Sequence, residues 1–399
     1  VHVHHTPVTE HRAALRLLVG VATTETIPLD RHALGRRLAT PLIAVDDLPR
    51  FDSSAMDGFA VAPAAPDQLT YPVVGDVAAG DAAGFELAVG QSARVMTGAR
   101  LPSGTVGVVP VEDTDAERTG AAPEKVTLVA PATPGRHIRR RADDVAAGTT
   151  IAPTGTLLTA ALIALARSVG STAGTVHVPT RVAVVATGAE LTAPGEDPGR
   201  GGIHESNSHM IAALAAAAGC EVTRVETCTD EPDLLRSLLD DLAAAPDVDL
   251  VITTGGVSAG AYEVVRQVCE PRDTFAFVHL AMQPGGPQGL GSWDGTPVIC
   301  LPGTPVGAFV SFEMLVRPAL DERHGAPPRG ASSAAYVGRT RRTRTGKVQF
   351  LSCVLADDGT VTLPDAIHLS ALASANGLIE VPEAVDQLVE GDIVAVHRL

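Results

Sequence analysis

Along residues 8–20 the apolar side chains Val8, Leu15, Leu17, Leu18 and Val19 are interspersed with charged ones, and the spacing predicts an amphipathic helix. Residues 29–45 carry the pattern of a second short helix ending at Pro41. From about 46 to 140 the texture changes. Short apolar runs (Tyr71–Val74, Ala93–Met96, Val106–Val111, Val126–Val129) alternate with glycine turns, which predicts an all-β segment set between helical stretches. Residues 156–169 return to helical spacing through Leu157, Leu158, Ala161, Leu162 and Leu165.

From 180 to about 324 strand, loop and helix repeat. Arg181–Ala186 and Leu250–Thr253 are continuous apolar runs, as expected of strands covered on both faces. Glu221–Glu226 and Val298–Leu301 complete the strand set. Helices are predicted at Ser208–Ala218 (stopped by Gly219), Glu231–Ala245, Ala261–Cys269 and around Val306–Val316. In the segment "TDEP", Thr229 or Asp230 is expected to cap the helix and Pro232 to occupy its first turn. This alternation predicts a mostly parallel, doubly wound α/β sheet. A Pro/Gly/Ser-rich linker, His324–Ser333, then leads to strand-like runs at Val348–Leu355, Val361–Leu363, Leu378–Val381 and Ile393–Val396, a small β domain.

Composition narrows the function classes. The chain has 399 residues, enough for two to four domains, and its 45% hydrophobic content excludes global disorder. A net charge of -16 and only 3% aromatic residues argue against a nucleic-acid partner. Only two of the 30 basic residues are lysines, Lys125 and Lys347. The five cysteines (Cys220, Cys228, Cys269, Cys300, Cys353) form no C-x-x-C pair, which predicts reduced, mostly buried thiols and a cytoplasmic protein. No apolar run is long enough for a membrane span, and no signal peptide is expected. The start at Val1 reads as processed or trimmed, with His2, His4 and His5 on a frayed terminus.

Ligands of open parallel sheets bind beyond the carboxyl ends of the strands. The loops there read "ATGAEL", "TTGGVSAG" and "LPGTPVGA". Backbone N–H groups at Gly255, Gly256, Val257 and Ser258 can approach an anion without side-chain obstruction. No P-loop and no dinucleotide fingerprint is present. Glu190, Glu205 and Asp230 lie near these loops and Asp57 lies in "FDSSAMDGFAV", so a divalent cation bridging carboxylates and phosphate oxygens is expected. The bases His137, Arg139, Arg140 and Arg141, and a second run Arg339, Arg341, Arg342 and Arg344, read either as local anion or partner sites or as solvated surface.

Seven motifs in order, "LPRFDSSAMDGFAV", "VMTGARLPSGTVGVVPVED", "IRRRADDVAAGTTI", "TGAEL", "ITTGGVSAG", "LPGTPVGA" and "SANGLIEVPE", resemble those of the MoeA family of molybdopterin molybdenumtransferases and of the equivalent E domain of gephyrin. The likeness spans nearly the whole chain and suggests a divergent, actinobacterial-type paralogue. It implies an N-terminal helix (1–26) on the α/β domain, an elongated domain (27–45 and 141–177), a β insert (46–140), a molybdopterin-binding α/β domain (178–326) and a C-terminal β domain (327–399). It also implies a homodimer whose active site lies between one subunit's α/β domain and the other's insert. The family's reaction inserts molybdenum from molybdate into adenylylated molybdopterin and releases AMP, with Mg²⁺ or another divalent ion. By motif, Asp57, Thr97, Glu190 and Asp230 would form the reaction site, with Asp57, Glu190 and Asp230 on the metal. Ser206, Asn207, Gly255, Gly256 and Ser258 would hold the pterin nucleotide, with Arg139 and Arg140 clamping phosphate. Pro302, Gly303, Thr304 and Pro305 would shape the molybdate end.

The chain departs from the family pattern at several of these places. "TGDEL" becomes "TGAEL" with Ala189; G-D-Y-D becomes "GAYE", with Ala261 in place of an acid and Glu263 keeping the second in part. "KPGKP" becomes "QPGGP" with Gln283 and Gly286, and "LPGNP" becomes "LPGTP" with Thr304. Each missing cation removes charge-assisted hydrogen bonds of roughly 1.5–3 kcal/mol, unless Arg139–Arg141 compensate. Three functions follow from this balance. One is the molybdenumtransferase; one is a degenerate gephyrin-like scaffold that grips a peptide of a membrane or cytoskeletal protein at its C-terminal domain; one is a pterin or nucleotide hydrolase of altered substrate.

Overall fold

A computed structural model describes residues 5–82, 84–258, 260, 263–366 and 368–399. His2, His4 and Ala261 lie outside these residues. His5 is not frayed: its ring packs on His279 at 4.9 Å, and Thr6 next to it bridges to Leu280.

The first helix, Val8–Val19, buries Val8, His11, Leu15 and Val19 against the last helix of the α/β part. That last helix runs as Pro305–Ser311, a π-helical stretch Phe312–Val316, and Arg317–Arg323. It was expected to end near Val316, but it continues through Pro318. Proline has no N–H and its ring crowds the carbonyl four residues earlier, which favours a wider turn there. The carbonyl so placed is that of Met314, and Arg12 Nε donates to it at 2.9 Å.

Thr24–Pro28 pairs antiparallel with Ala173–His177, and Leu42–Ile43 with Thr150–Ala152. The helix Ala160–Ser168 packs beside them, its N-cap Thr159 accepting from the Leu162 N–H. The helix expected within 29–45 is only one turn, Arg31–Ala33. Gly35, at φ +77°, ends it in the left-handed region, and Arg37 and Leu38 then bridge to Leu157 and Val176. Long-range pairing has overridden local helical spacing here.

The β insert is a five-stranded sheet in the order Gly107–Pro110, Gly58–Val61, Ser92–Val95, Thr70–Val77, Lys125–Thr127. A Cβ on Gly58 would lie 2.0 Å from the Val109 carbonyl oxygen, so only glycine permits the strand approach that sets Asp57 in place.

The α/β sheet runs Glu221–Cys228, Arg181–Thr187, Leu250–Thr254, Thr296–Leu301, all parallel, then Pro287–Trp293 and Ala276–His279, both antiparallel to their neighbours. The hairpin edge was not expected, because "PQGLGSW" has a poor β composition. It is sustained by burial of Leu290 and Trp293 in the cores on the two faces of the sheet.

The C-terminal strands Val348–Leu355, Thr360–Thr362, Ser332–Tyr336, Ile393–Arg398 and Gly377–Val381 pair in sequence, and the last returns to the first, closing a barrel. Met282–Gln283, from the α/β part, adds to this barrel in parallel with Val348–Gln349. All five cysteines are buried and unpaired. Among the described residues, no helix is long and apolar enough to cross a membrane.

Candidate active site

Loops beyond the carboxyl ends of the parallel strands enclose a cleft of about 600 Å³. Their backbones are in near contact. Gly255 and Gly256 have φ of +96° and +64°; a Cβ on Gly255 would sit 2.4 Å from the Thr187 carbonyl oxygen, and one on Gly256 2.9 Å from the Val265 nitrogen. The glycines in "TTGG" are therefore required twice over, by conformation and by space. The Gly255 N–H donates to Leu301 O at 3.1 Å, and Asn207 Nδ2 donates to Gly303 O at 2.7 Å, which locks two loops and one helix start together.

Two carboxylates brace these loops. Glu263 accepts the Ser258 N–H at 2.8 Å, so the acid kept in "GAYE" holds the glycine loop in shape. Glu205, only 5% exposed, accepts the N–H of Ser208 at 2.8 Å and its hydroxyl at 2.6 Å, starting the helix Asn207–Ala217. Ser206, at the N-cap position, uses its side chain for no cap bond. Asp230 was expected to cap the helix Pro232–Ala244. That helix starts from Glu231 without a side-chain cap, and Asp230 Oδ2 instead accepts the N–H of Ala189 at 3.0 Å, across to the next loop.

The cleft unites most of the sequence candidates: Glu190, Ser206, Asn207, Asp230, Gly255, Gly256, Ser258, Pro302, Gly303, Thr304 and Pro305 all line it. Thr187 and Thr254, each the last residue of its strand, also line it and were not singled out. Their signal was positional, a hydroxyl at the carboxyl end of a buried strand. Among the described residues four acids line the cleft (Glu190, Glu205, Asp230, Glu263) and no lysine or arginine does.

Asp57 and Thr97 lie on the insert and do not line the cleft. They form a pair of their own. The Thr97 N–H and hydroxyl both donate to Asp57 Oδ1, at 2.6 and 2.8 Å, and these bonds, the backbone one foremost, hold the Asp57 carboxyl below the usual carboxylate range. Arg139 and Arg140 are also off the cleft; Arg140 pairs with Asp52 at 2.6 Å and Arg141 with Asp47. In the second basic run Arg339 pairs with Asp365, and Arg341 Nη1 donates to Pro364 O at 2.8 Å.

The two lost lysine positions prove to be off the cleft lining as well. Gln283 belongs to the strand lent to the barrel. Gly286 faces His279, whose Nε2 lies 2.6 Å from where a Cβ would be, so a side chain there requires the His279 ring to move. Among the described residues, no group of three or more His, Cys, Asp or Glu side chains is close enough to hold a metal within one chain.

Comparison with known proteins agrees along the whole length. Residues 6–170 match the MoeA N-terminal region (domain I and II), 183–322 a probable molybdopterin binding domain, and 338–399 the MoeA C-terminal region (domain IV). Molybdopterin molybdenumtransferase 2 of Mycobacterium tuberculosis (strain ATCC 25618 / H37Rv) is 40% identical, covering 98% of this chain and 99% of its own. Molybdopterin molybdenumtransferase 1 of the same strain is 33% identical, covering 92% and 93%. The solved molybdopterin biosynthesis MoeA protein of Pyrococcus horikoshii superposes with a TM-score of 0.81 at 26% identity, over 99% of this chain and 100% of its own.

Proposed function

This chain belongs to the MoeA family of molybdopterin molybdenumtransferases, and on that premise we propose that its cleft binds adenylylated molybdopterin and exchanges the AMP for molybdenum from molybdate. The observation that carries the reading is the pairing of anion-ready backbone with unmatched acids. The amides of Gly256 and Val257 and the first turn of the helix Asn207–Ala217 offer N–H groups to phosphate oxygens, the Gly255, Ser258 and Ser208 N–H groups being used by Leu301, Glu263 and Glu205. Among the described residues four carboxylates, one histidine (His204) and no lysine or arginine line the cleft, so a phosphorylated ligand needs a counter-charge that this wall does not supply.

A divalent ion such as Mg²⁺ fits that need. Among the described residues the Glu190 carboxylate meets no hydrogen-bond or ion-pair partner, and Asp230 has one oxygen left after Ala189. These two residues would hold the ion, which supplies positive charge against phosphoryl oxygens. One chain has too few ligands, and the Asp57–Thr97 pair faces no ligand of its own chain. We assign the working unit as a homodimer in which Asp57 of a second copy completes the site and Thr97 holds that carboxylate ionised and oriented. The buried, unpaired thiols suit the reducing cytoplasm, where this biosynthesis would take place.

The test is AMP release from adenylylated molybdopterin by purified protein given molybdate and Mg²⁺. Normal binding of the pterin nucleotide with no AMP ever formed would falsify the reading. AMP release that ignores molybdate would mark a hydrolase instead. The scaffold alternative has no specific observation in its favour, and the similar curated proteins bear the names of transferases.

A further inference from the structure

At one end of the cleft two loops meet. One contributes Gly285 and Pro287, the other Gly303 and Thr304. Among the described residues no lysine or arginine lines the cleft, so an oxyanion at this end is held by backbone dipoles, and the direction of each carbonyl counts.

Three carbonyls there are taken up by donors. Gly303 O accepts from Asn207 Nδ2, Gly286 O from the Leu280 N–H and Gly285 O from Gln288 Nε2, each at 2.7 Å. The last donor is a side chain only 1% exposed, on the strand Pro287–Trp293. A carbonyl can only accept, so the bond to Gly285 fixes which end of the amide is Nε2. The same nitrogen donates to Ser311 Oγ at 2.7 Å. Ser311 is fully buried and ends the helix Pro305–Ser311, which starts at the second loop. One buried amide thus ties both loops together.

The fit around it is close. Gly285 has φ +95°, and a Cβ on it would lie 2.5 Å from Ser311 Oγ. A Cβ on Gly307, in the same helix, would lie 2.5 Å from Thr304 Oγ1 and 3.7 Å from the Gly285 nitrogen. The 285–286 peptide is planar and trans, so drawing its carbonyl to Gln288 turns its N–H to the opposite side.

Packing does not account for this residue. Gln288 Oε1 is buried without a hydrogen-bond partner. A methionine of similar length would fill the space without that unmatched acceptor, so what the amide contributes is its donor.

We propose that Gln288 is a positioning residue for the transfer reaction: it holds the Gly285 carbonyl in the core and the two loops at one spacing, which keeps the negative end of a peptide dipole away from the place where molybdate binds. Gln288 itself touches no substrate. The proposal rests on the transferase reading of the cleft.

Steady-state AMP release by the full chain, with molybdate and adenylylated molybdopterin varied in turn, tests it on Gln288→Met. Methionine keeps the length and removes both the donor and the unmatched oxygen. The KM for molybdate should rise about tenfold or more, while the KM for the pterin nucleotide stays within about twofold and the melting temperature holds or rises. A purely structural role predicts the reverse, a lower melting temperature with neither KM moved. Gln288→Glu, which sets an acceptor against the Gly285 carbonyl, should raise the molybdate KM further. Should Gln288→Met fail to fold, Ser311→Ala removes the other end of the bridge and should raise that KM by about two- to fivefold. A molybdate KM unmoved in every folded variant, or an equal rise in both KM values, overturns the proposal and leaves the transferase reading standing. No AMP release by the unaltered protein overturns both.

Discussion

The Asp230 carboxylate accepts the backbone N–H of Ala189, 3.0 Å away in the loop after a neighbouring strand, and leaves its own helix uncapped. Any residue but proline at 189 supplies that N–H, so the replacement of the family's acid by alanine leaves this bond intact. Asp230→Asn keeps an acceptor for Ala189 and removes the charge. We expect AMP release to drop by about 10- to 100-fold, with the melting temperature nearly unchanged. Asp230→Ala should also weaken pterin-nucleotide binding, because the loop loses its tether. Equal binding by all three proteins would separate the tether from ligand recognition.

Restoring the family's lysine at 286 should harm the protein rather than help it. The Cβ alone would sit 2.6 Å from His279 Nε2. Gly286→Lys is predicted to destabilise by about 1–3 kcal/mol, and His279→Ala in the same chain to recover much of it. Denaturant melts of the four proteins in this cycle measure the coupling.

A site shared between two copies makes an arithmetic prediction. Asp57→Ala and Glu190→Ala should each abolish turnover. Mixed and refolded together in equal amounts, they form hybrid dimers with one intact site, and about a quarter of the wild-type rate should return. Mixtures as dead as their parents would place all reacting groups in one chain.

His11 and His324 are both buried neutral, each held near 4 by burial, against an ordinary value of 6.5. Below the ordinary value the unfolded chain takes up protons that the folded chain refuses. Stability is therefore fullest above about pH 6.5 and falls as the pH drops from there toward 4, by on the order of 2–3 kcal/mol for each residue. His11→Gln should flatten this acid limb by about half. An unchanged slope in urea titrations between these pH values would contradict it.

Arg12 replaces the helix hydrogen bond that Pro318 denies to the Met314 carbonyl. Arg12→Leu keeps much of the packing and removes the donor, and should cost about 1–2 kcal/mol in thermal or denaturant unfolding. The double variant with Pro318→Ala should lose less than the single one.

Buried parallel strands are the most legible part of this sequence: Arg181–Thr187 and Leu250–Thr254 are uninterrupted apolar runs, and their loops pointed directly to the cleft. The misreadings have physical causes. In 29–45 helical spacing lost to pairing of Leu38 with Val176, 138 positions away in the chain, which no local window contains. The hairpin edge hid behind the glycines of "PQGLGSW", whose pairing partners supply what the side chains do not. Asp230 was read by its distance from a proline, and its true partner became visible only once two strands were side by side. Nor can sequence order show that Gln283 pairs with the barrel strand and that Gly286 stands against His279, on either side of the cleft residue Gly285.

Met282–Gln283 is a strand of the barrel, while Gly285 and Pro287, two and four residues further on, line the cleft. The C-terminal domain is thus no detachable module. A chain cut after residue 326 would leave this short strand unpaired and its loop without an anchor, so truncation would be felt as a catalytic lesion rather than as the loss of an appendage. The same linkage limits domain exchange between relatives: a barrel borrowed from elsewhere must bring a partner for Met282 and Gln283, or the cleft floor moves with it.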